Sequence, residues 1–396
     1  MTLTRTGYGV LGASVVLYLA GWLLGYPEPA VIAVAGALAV ALATVWVLPH
    51  PRLTVSREVL PRKVSRGRPA EGVMTVDNAG RALRSGLLTT DSCAGIDVPV
   101  ALPALASGER RVVRYPLPTM RRGLVPVGPL RLVRADLFAL ARRVIAFGEA
   151  ETLLVRPATV ELGAYPAGRA HSLDGPTSDA ATAGTGAFHS LRDYVLGDDL
   201  RRVHWPSTAR TGTLMIRQLV DVSLPQTSVV LDLRIASYRA APPSDGSDPR
   251  VAEDWFELAV DAAASVALAA GRLNFPVDVR TTTGSLLETR GGRQDAGELL
   301  DRLALVEAST DGSMADALDE VRRSRAAGVL VVVTGAGADR SEAGLVSVAG
   351  SRFDRVVLIR VGPRTLAMEP LGAGPPQIAV HDPDSLIAGW QRAAAP

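Results

Sequence analysis

The chain has one cysteine, Cys93, and one lysine, Lys63, in 396 residues. A single thiol makes no intrachain disulfide, no zinc ribbon and no CxxC redox pair, which excludes an exported disulfide scaffold. With Lys63 alone no G-x-x-x-x-G-K-[ST] can be written, so the chain does not hydrolyse ATP by a Walker mechanism. Excess charge is lacking too. The 42 basic and 40 acidic residues leave a net +2, no general field to attract nucleic acid, and nucleic acid is not an expected partner. All other basic residues are arginines, which with the many alanines reads as genomic composition rather than a binding strategy. Apart from His204, the histidines His50, His171, His189 and His381 are scattered and make no metal spacing. Cys93 lies in a polar stretch and reads as a solvent-near or half-buried thiol rather than a nucleophile.

What is present is apolar content, 47% of residues, enough to exclude a disordered chain and to fill two or three domains. Much of it is concentrated at the start. From Tyr8 to Gly25 there is no charge, and after Tyr26-Pro27-Glu28-Pro29 a second uncharged run extends from Ala30 to Leu48. Each is long enough to cross the hydrocarbon of a bilayer, where backbone amides must be bonded within their own segment. A helical hairpin over residues 1–49 is the expectation. Gly21 and Gly25, with Ala35, Ala39 and Ala43, are expected to let the helices approach closely. A cleaved signal peptide is disfavoured, because its n-region would hold only Arg5 and a second apolar run follows at once. The turn has no Lys or Arg, whereas Arg52, Arg57, Arg62, Lys63, Arg66 and Arg68 follow the second span. By the positive-inside bias the chain is expected in a cell membrane as a multi-pass protein, with both termini and its soluble domains cytoplasmic and the lipid bilayer as a partner.

Residues 50–162 show short alternating runs at Leu53–Ser56, Val73–Val76, Val112–Tyr115 and Leu130–Val133, broken by Gly, Pro and Asn, a pattern that predicts an antiparallel β-sandwich. Residues 163–187 shift to Gly, Ala, Ser, Thr and Pro and read as a linker or surface loop. A distinctive segment, 188–224, follows. Over 225–396 apolar strands at Ser228–Asp232, Val277–Arg280, Val329–Thr334 and Val356–Arg360 alternate with helices near Ala252–Arg272, Gln294–Val306, Met314–Ala326 and Asp384–Gln391. That alternation predicts a mainly parallel sheet covered on both faces, so the fold class expected is α/β plus all-β.

Residues 186–217 read GAFHSLRDYVLGDDLRRVHWPSTARTGTLMIR. Gly197 supplies a turn, Asp198 or Asp199 suits a helix cap, and each has an arginine three residues on, Arg201 and Arg202. Arg192, Asp193 and Arg210 extend the possible pairs, Pro206 is expected to end the helix, and Leu214-Met215-Ile216 reads as a strand. The plain reading is a structural clamp. An enzyme reading needs His204 as base, Asp198 or Asp199 to orient it and Ser207 as nucleophile, but His204 and Asp199 do not share a helical face and Ser207 suits a cap. The expectation is no enzyme, with no catalytic residue and no cofactor.

The run G-x-F-x-x-L-R-x-Y-x-x-G-D-D-x-R-R-V-H-W-x-x-T-A-R resembles the signature of domain-of-unknown-function family fifty-eight, and Arg192, Tyr194, Gly197, Asp198, Asp199, Arg201, Arg202, His204, Trp205 and Arg210 carry it. Gly128-Pro129-Leu130 and Asp136-Leu137-Phe138-Ala139-Leu140 resemble further elements of that family. The resemblance implies a membrane-anchored bacterial protein, a C-terminal doubly wound domain similar to a von Willebrand factor A domain, and association with a MoxR-like AAA+ ATPase. Such domains bind Mg²⁺ through Asp-x-Ser-x-Ser with a threonine and a further aspartate, all hard oxygen ligands. Here the strand ends Asp232-Leu233-Arg234-Ile235-Ala236-Ser237, Thr334 is followed by Gly335 where an aspartate is expected, and Thr310 or Ser313 is the nearest threonine-type ligand. The site reads as degenerate at Asp232, Arg234, Ser237 and Thr334, holding no metal, with Arg234 in place of the cation. The function expected is a membrane-anchored adaptor binding other proteins. The alternatives are an envelope-biogenesis factor acting with transglutaminase-like or other membrane proteins, and a hydrolase centred on His204.

Overall fold

The computed structural model describes residues 2–48, 53–80, 87–102, 104–163, 165–166, 186–194, 203–221, 226–239, 249–289, 293–323, 328–367 and 375–395. It is a mixed α/β chain with two N-terminal apolar helices and several sheets, and it divides into two units, Met1–Arg156 and Pro157–Pro396.

The first unit opens with strand β1 (Thr2–Leu3), helix α1 (Arg5–Leu24) and helix α2 (Pro27–Val47). Both helices are long and apolar enough to cross a bilayer, with mean hydropathy 1.6 and 2.4 over their most apolar stretches. Thr4 caps α1 and Gly25 ends it in the left-handed conformation, after which Pro27 opens α2 at a position whose amide needs no partner. The buried positions are Gly7, Ser14 and Gly21 on α1 and Ala33, Val40, Ala43 and Val47 on α2, and the helices approach closely where Gly21 meets Ala30 and Gly36 meets Ser14. Gly21 is needed there, since a Cβ would stand 2.9 Å from the Tyr26 carbonyl oxygen. Of the expected small-residue face, Gly21 and Ala43 take part while Ala35 points outward. The buried positions repeat every seven residues, the period of two helices that stay in contact along their length, rather than every four.

Ten-residue punctuation resolves into strands β2 (Leu53–Leu60), β3 (Lys63–Ser65), β4 (Glu71–Asn78), β5 (Leu87–Cys93), β6 (Ile96–Leu102), β7 (Arg110–Pro116), β8 (Gly123–Ala135), β9 (Ala141–Phe147) and β10 (Glu151–Arg156). One sheet runs β1-β9-β8-β10-β3, with β5 on β8 and β6 on β5; a second runs β2-β4-β7. All pairs are antiparallel except β10 with β3. The two share one core, to which the smaller sheet gives Val59, Met74, Val76 and Tyr115 and the larger gives Cys93, Val127, Leu130 and Leu153.

Cys93 is fully buried, not solvent-near. Thr89, Asp91 and Cys93 share the inward face of β5, and the polar neighbours that disguised this strand are satisfied inside: Thr89 donates to the Val100 carbonyl at 2.6 Å, and Asp91 accepts from Arg57 Nη2 at 2.7 Å. Arg57 also donates to the carbonyls of Val127 (3.1 Å) and Glu149 (2.9 Å) and to the Tyr115 hydroxyl (3.3 Å), which in turn donates to Asp91. The Arg57 and Asp91 side chains are 3% and 0% exposed. This network joins the smaller sheet, through β2 and β7, to β5 of the larger.

The second unit begins at Pro157, earlier than the expected boundary at 162. Val160, Leu162 and Tyr165 pack into its core, and the segment is tied to the following helix by Ala158 and Val160 amides donating to Asp261 (2.8 Å) and Ser265 (3.0 Å). Strand β11 (Gly186–Asp193) pairs antiparallel with β12 (Met215–Asp221), with helix α3 (Trp205–Thr211) between them in sequence. Then come β13 (Gln226–Leu231), α4 (Pro249–Arg272), β14 (Val277–Thr281), β15 (Gly284–Glu288), α5 (Arg293–Ala304), α6 (Met314–Arg323), β16 (Gly328–Gly335), α7 (Arg340–Gly350), β17 (Arg355–Val361), α8 (Arg364–Ala367), β18 (Gln377–Val380) and α9 (Pro383–Ala394).

These strands form one sheet, β15-β14-β13-β16-β17-β18, parallel except for β15 at the edge. Continuous Val, Leu and Ile runs are what a sheet covered on both faces requires. One face takes Val229, Leu231, Val331, Val333 and Ile359 with α4, α5 and α9; the other takes Val230, Leu330, Val332 and Leu358 with α6 and α7. Alanines 259, 262, 263, 264, 267 and 270 are all buried, so α4 lies close to the sheet, and its middle, residues 259–267, is buried all round.

Candidate functional site

The strand order places β13 in the middle. The chain leaves it to one side for β14 and β15, then returns to its other flank for β16, β17 and β18. At such a reversal the carboxyl ends of the two neighbouring strands, here β13 and β16, open a crevice that no crossover covers. Asp232 follows β13 and Thr334 lies in β16's last turn of ladder, and both are buried.

Asp232 is fully saturated. Its Oδ1 accepts from the Arg234 amide (3.0 Å) and from Arg234 Nε (2.9 Å); its Oδ2 accepts from Arg234 Nη2 (2.8 Å) and from the Thr334 hydroxyl (2.8 Å). The other side of the same guanidinium donates to Glu342, from Nη1 to Oε1 at 2.7 Å and from Nη2 to Oε2 at 2.9 Å. Glu342 stands in the first turn of α7, which Asp339 caps. Arg234 is thus held edge-on by two carboxylates, with side-chain exposures of 20% for Arg234, 0% for Asp232 and 17% for Glu342. Hydrogen bonds to the two carboxylates raise its already high pKa further, so the charge is permanent.

The backbone around the pair is fixed as tightly. Ser309 of the neighbouring loop accepts from the Ile235 amide at 2.9 Å and donates its own amide to Leu233 O at 2.7 Å, and the Tyr238 hydroxyl donates to the Asp232 carbonyl at 2.6 Å. Ser237 is buried, and its carbonyl accepts from the Gly337 amide at 2.9 Å. Gly335 passes so close that a Cβ would lie 2.0 Å from the Ser237 oxygen, which is why no aspartate stands at that position. Ser313 caps α6, accepting from the Asp316 amide at 3.2 Å, and Thr310 is exposed. Among the described residues no three His, Cys, Asp or Glu side chains come together in a way that would hold a metal. A cleft of about 310 Å³ lies on the other side of the β13 end, toward β14 and β15, lined by Leu233, Thr281, Thr283, Ser285, Arg302 and Glu307 among others.

The neighbouring strand repeats the pattern. Asp278 and Arg280, two apart on β14, pair at 2.7 Å, and Arg280 reaches Glu320 of α6 at 3.0 Å. Asp278 is 1% exposed and its Oδ1 has no hydrogen-bond partner among the described residues. Burial pushes its carboxyl above the usual range, against the opposing pull of Arg280. Nothing in the sequence reading singled out Asp278, Arg280, Glu320 or Glu342. The recurring Asp-x-Arg, just after β13 and within β14, was the available signal.

The signature segment is described only in part. Gly197, Asp198, Asp199, Arg201 and Arg202 lie outside the described residues, and with them the expected cap and ion pairs. Arg192 is in β11 opposite Ile216, and the Tyr194 amide donates to Leu214 O at 2.8 Å. Val203 bridges to Ile216, and the His204 amide donates to Met215 O at 2.8 Å. Pro206 opens α3 instead of ending it, because a proline in a helix's first turn gives up an amide that would have no partner. His204 is the residue before that turn. Its Nδ1 lies 2.8 Å from the Ser207 hydroxyl, and Thr208 Oγ1 accepts from the Met215 amide at 3.0 Å. The His204 and Ser207 contact joins two side chains three residues apart across the helix start, and His204, the N-cap residue, makes no side-chain cap bond to the helix amides. Trp205 and Arg210 are exposed.

No curated protein matches the chain. Among solved structures, the CARDB domain of a Pyrococcus furiosus protein in complex with di-metal ions is 17% identical over 26% of this chain and 93% of that one, with a TM-score of 0.21. A Listeria innocua beta-glucosidase is 16% identical over 25% of this chain and 16% of its own, TM-score 0.16, and Cwp6 from Clostridium difficile is 9% identical over 79% and 38%, TM-score 0.18. Likenesses this weak define neither fold nor function. The sequence itself is more specific: residues 190–385, which hold most of the signature segment and nearly all of the parallel sheet, match the model of the family described as Protein of unknown function DUF58, and that match supports this family for the chain.

Proposed function

We propose that the chain is a non-enzymatic adaptor: α1 and α2 anchor it in a cell membrane with its termini and soluble parts on the cytoplasmic side, the β-rich region acts as a sandwich-type spacer, and the parallel-sheet domain binds protein. The observation that carries this is the seating of Arg234 between Asp232 and Glu342. A cation-binding sheet end needs open carboxylate oxygens, and here both carboxylates are occupied by a fixed guanidinium that needs no ion. The strand order and the single antiparallel edge strand support reading this domain as von Willebrand factor A-like. A partner would therefore read the face through charge pairs and side-chain shape rather than a bridging metal. The partner class is a MoxR-like AAA+ ATPase together with other membrane proteins.

The test is crosslinking of the full chain in its native membranes, followed by identification of the crosslinked neighbours by mass spectrometry. An AAA+ ATPase joined to residues near the ends of β13 and β16 is the expected result. Recovery of envelope-assembly membrane proteins with no ATPase would favour the biogenesis reading, and substrate turnover by the purified chain, lost in His204→Ala, would favour the hydrolase that the His204 and Ser207 contact permits.

A further inference from the structure

The turn between β8 and β9 presents two large apolar side chains outward. Leu137 is 91% exposed, the highest value for any large hydrophobic residue described, and Phe138 is 75% exposed. They are not there through looseness. Asp136 accepts from the Phe138 amide at 2.9 Å and the Ala141 amide at 2.7 Å, and the Ala139 amide donates to the Asp136 carbonyl at 3.1 Å, with Ala139 in the left-handed region at φ 52°. The backbone of the turn is pinned at both ends, so the apolar pair is held away from the sheet.

The place of this turn is set by the hairpin. The Thr4 amide donates to Leu140 O at 3.0 Å and its hydroxyl donates to Ala139 O, while the same hydroxyl oxygen caps α1 by accepting from the Gly7 amide at 3.0 Å. At Gly7 a Cβ would lie 2.1 Å from Leu140 O, so helix and turn are in backbone contact. The last carbonyl of the other helix, Leu48 O, accepts from Arg143 of β9. Both open ends of the hairpin are therefore seated on the β8–β9 corner. Helices of 20 and 21 residues at 1.5 Å rise are each about 30 Å long, the thickness of the hydrocarbon layer, so their ends fall at its boundary. Tyr8 and Trp46, 62% and 61% exposed, mark the same level with the aromatic residues that prefer it. Arg5, which begins α1, and Arg142, opposite Thr2 in the β1–β9 pair, are exposed at this end of the hairpin, suited to lipid phosphates.

We propose that Leu137 and Phe138 enter the interfacial layer of the bilayer as a third membrane contact beside the hairpin, on the leaflet where the hairpin's ends emerge. The occupant is lipid because the turn that holds the pair is in backbone contact with the start of α1, whose outward side chains Leu11, Val15 and Val16 are exposed and apolar. The inference rests on the hairpin being membrane-spanning, and its test separates the two.

The full chain carrying Phe138→Cys is spin-labelled and reconstituted into nanodiscs of phosphatidylethanolamine and phosphatidylglycerol, with the unsubstituted protein, whose Cys93 is buried, as the labelling blank. Power saturation compares collision with oxygen, which partitions into lipid, against a water-soluble nickel chelate. Leu38→Cys, in mid-α2, reports the hairpin, and Val112→Cys, on β7, reports the body. The oxygen-to-nickel ratio at 138 is expected to approach that at 38 and to exceed that at 112 by about fivefold or more, as for a side chain inside the headgroup boundary. A ratio at 138 equal to that at 112, with 38 lipid-like, overturns the third contact and leaves the hairpin standing. A water-like ratio at 38 overturns both.

Discussion

Removing the guanidinium at the β13–β16 crevice has a consequence large enough to measure. In Arg234→Ala the Asp232 carboxylate, 0% exposed, keeps two donors, the residue 234 amide and the Thr334 hydroxyl, and loses two. Glu342, 17% exposed, loses both of its bonds to Arg234. Breaking a buried pair by deleting one partner costs about 3–5 kcal/mol, because a charge is left uncompensated. Arg234 itself is 20% exposed and Asp232 retains half its donors, so solvent screening and the remaining bonds reduce the expectation to about 2–4 kcal/mol. For a domain of this size that is a fall of about 4–16 °C in the unfolding midpoint. Glu342→Gln leaves the Asp232 pair intact and should cost about 1 kcal/mol or less. The double variant then costs less than the sum, because Glu342 is no longer stranded. Thermal unfolding of the purified chain measures all three, repeated with millimolar Mn²⁺. In Arg234→Ala alone the two neighbouring carboxylates are open to a cation, and Mn²⁺ should recover part of the loss. An unchanged midpoint in Arg234→Ala, or Mn²⁺ stabilising the unsubstituted protein equally, refutes the view that the arginine does the cation's work.

Gly335→Asp should destabilise by on the order of 3 kcal/mol without creating Mg²⁺ affinity, since its Cβ would collide with the Ser237 carbonyl; calorimetric Mg²⁺ binding in a stably folded variant contradicts this. Burial, and after it Asp91, pushes the Cys93 thiol up to about 11, so at pH 8 iodoacetamide should label the native chain at least about a hundredfold more slowly than a free cysteine, with normal rates returning in denaturant. For Asp278, whose folded pKa is raised by burial, the stability contribution is fully present below the ordinary aspartate pKa and is lost as pH rises through the folded value. Unsubstituted protein should therefore gain stability relative to Asp278→Asn as the pH is lowered through that range, and a difference that instead grows with rising pH contradicts the assignment.

The sequence was most readable where one periodicity ruled. Uncharged runs marked α1 and α2, and β13, β16 and β17 announced themselves through continuous Val, Leu and Ile runs, as strands buried on both faces do, while β14 kept its apolar positions around Asp278 and Arg280. β5 was illegible because its inward side chains are Thr89, Asp91 and Cys93, polar residues whose partners come from β6 and from the other sheet. The helix α7 went unseen, its Gly-Ser-Ala composition resembling a loop, and Glu342 was missed with it. The Asp232 and Arg234 pairing could be expected from two residues of spacing. That a glutamate 108 positions away completes it could not, because only the strand order brings α7 beside β13. Pro206 was misplaced for a simpler reason: a proline punctuates a helix at either end, and the residues that decide which end are the amides before it.

Two greasy sheets laid on each other are forgiving, since one leucine is much like another and a slip of a residue pair exchanges equivalents. The guanidinium of Arg57 is not forgiving. It has to meet one carboxylate, one phenol and two carbonyls at once, in a space so narrow that Gly128 beneath it has no room for a methyl group, which would sit 2.0 Å from Nη1. Of all the alignments oil would tolerate, a single one lets that cation be received. The N-terminal body therefore has a keyed interior, and the key is polar.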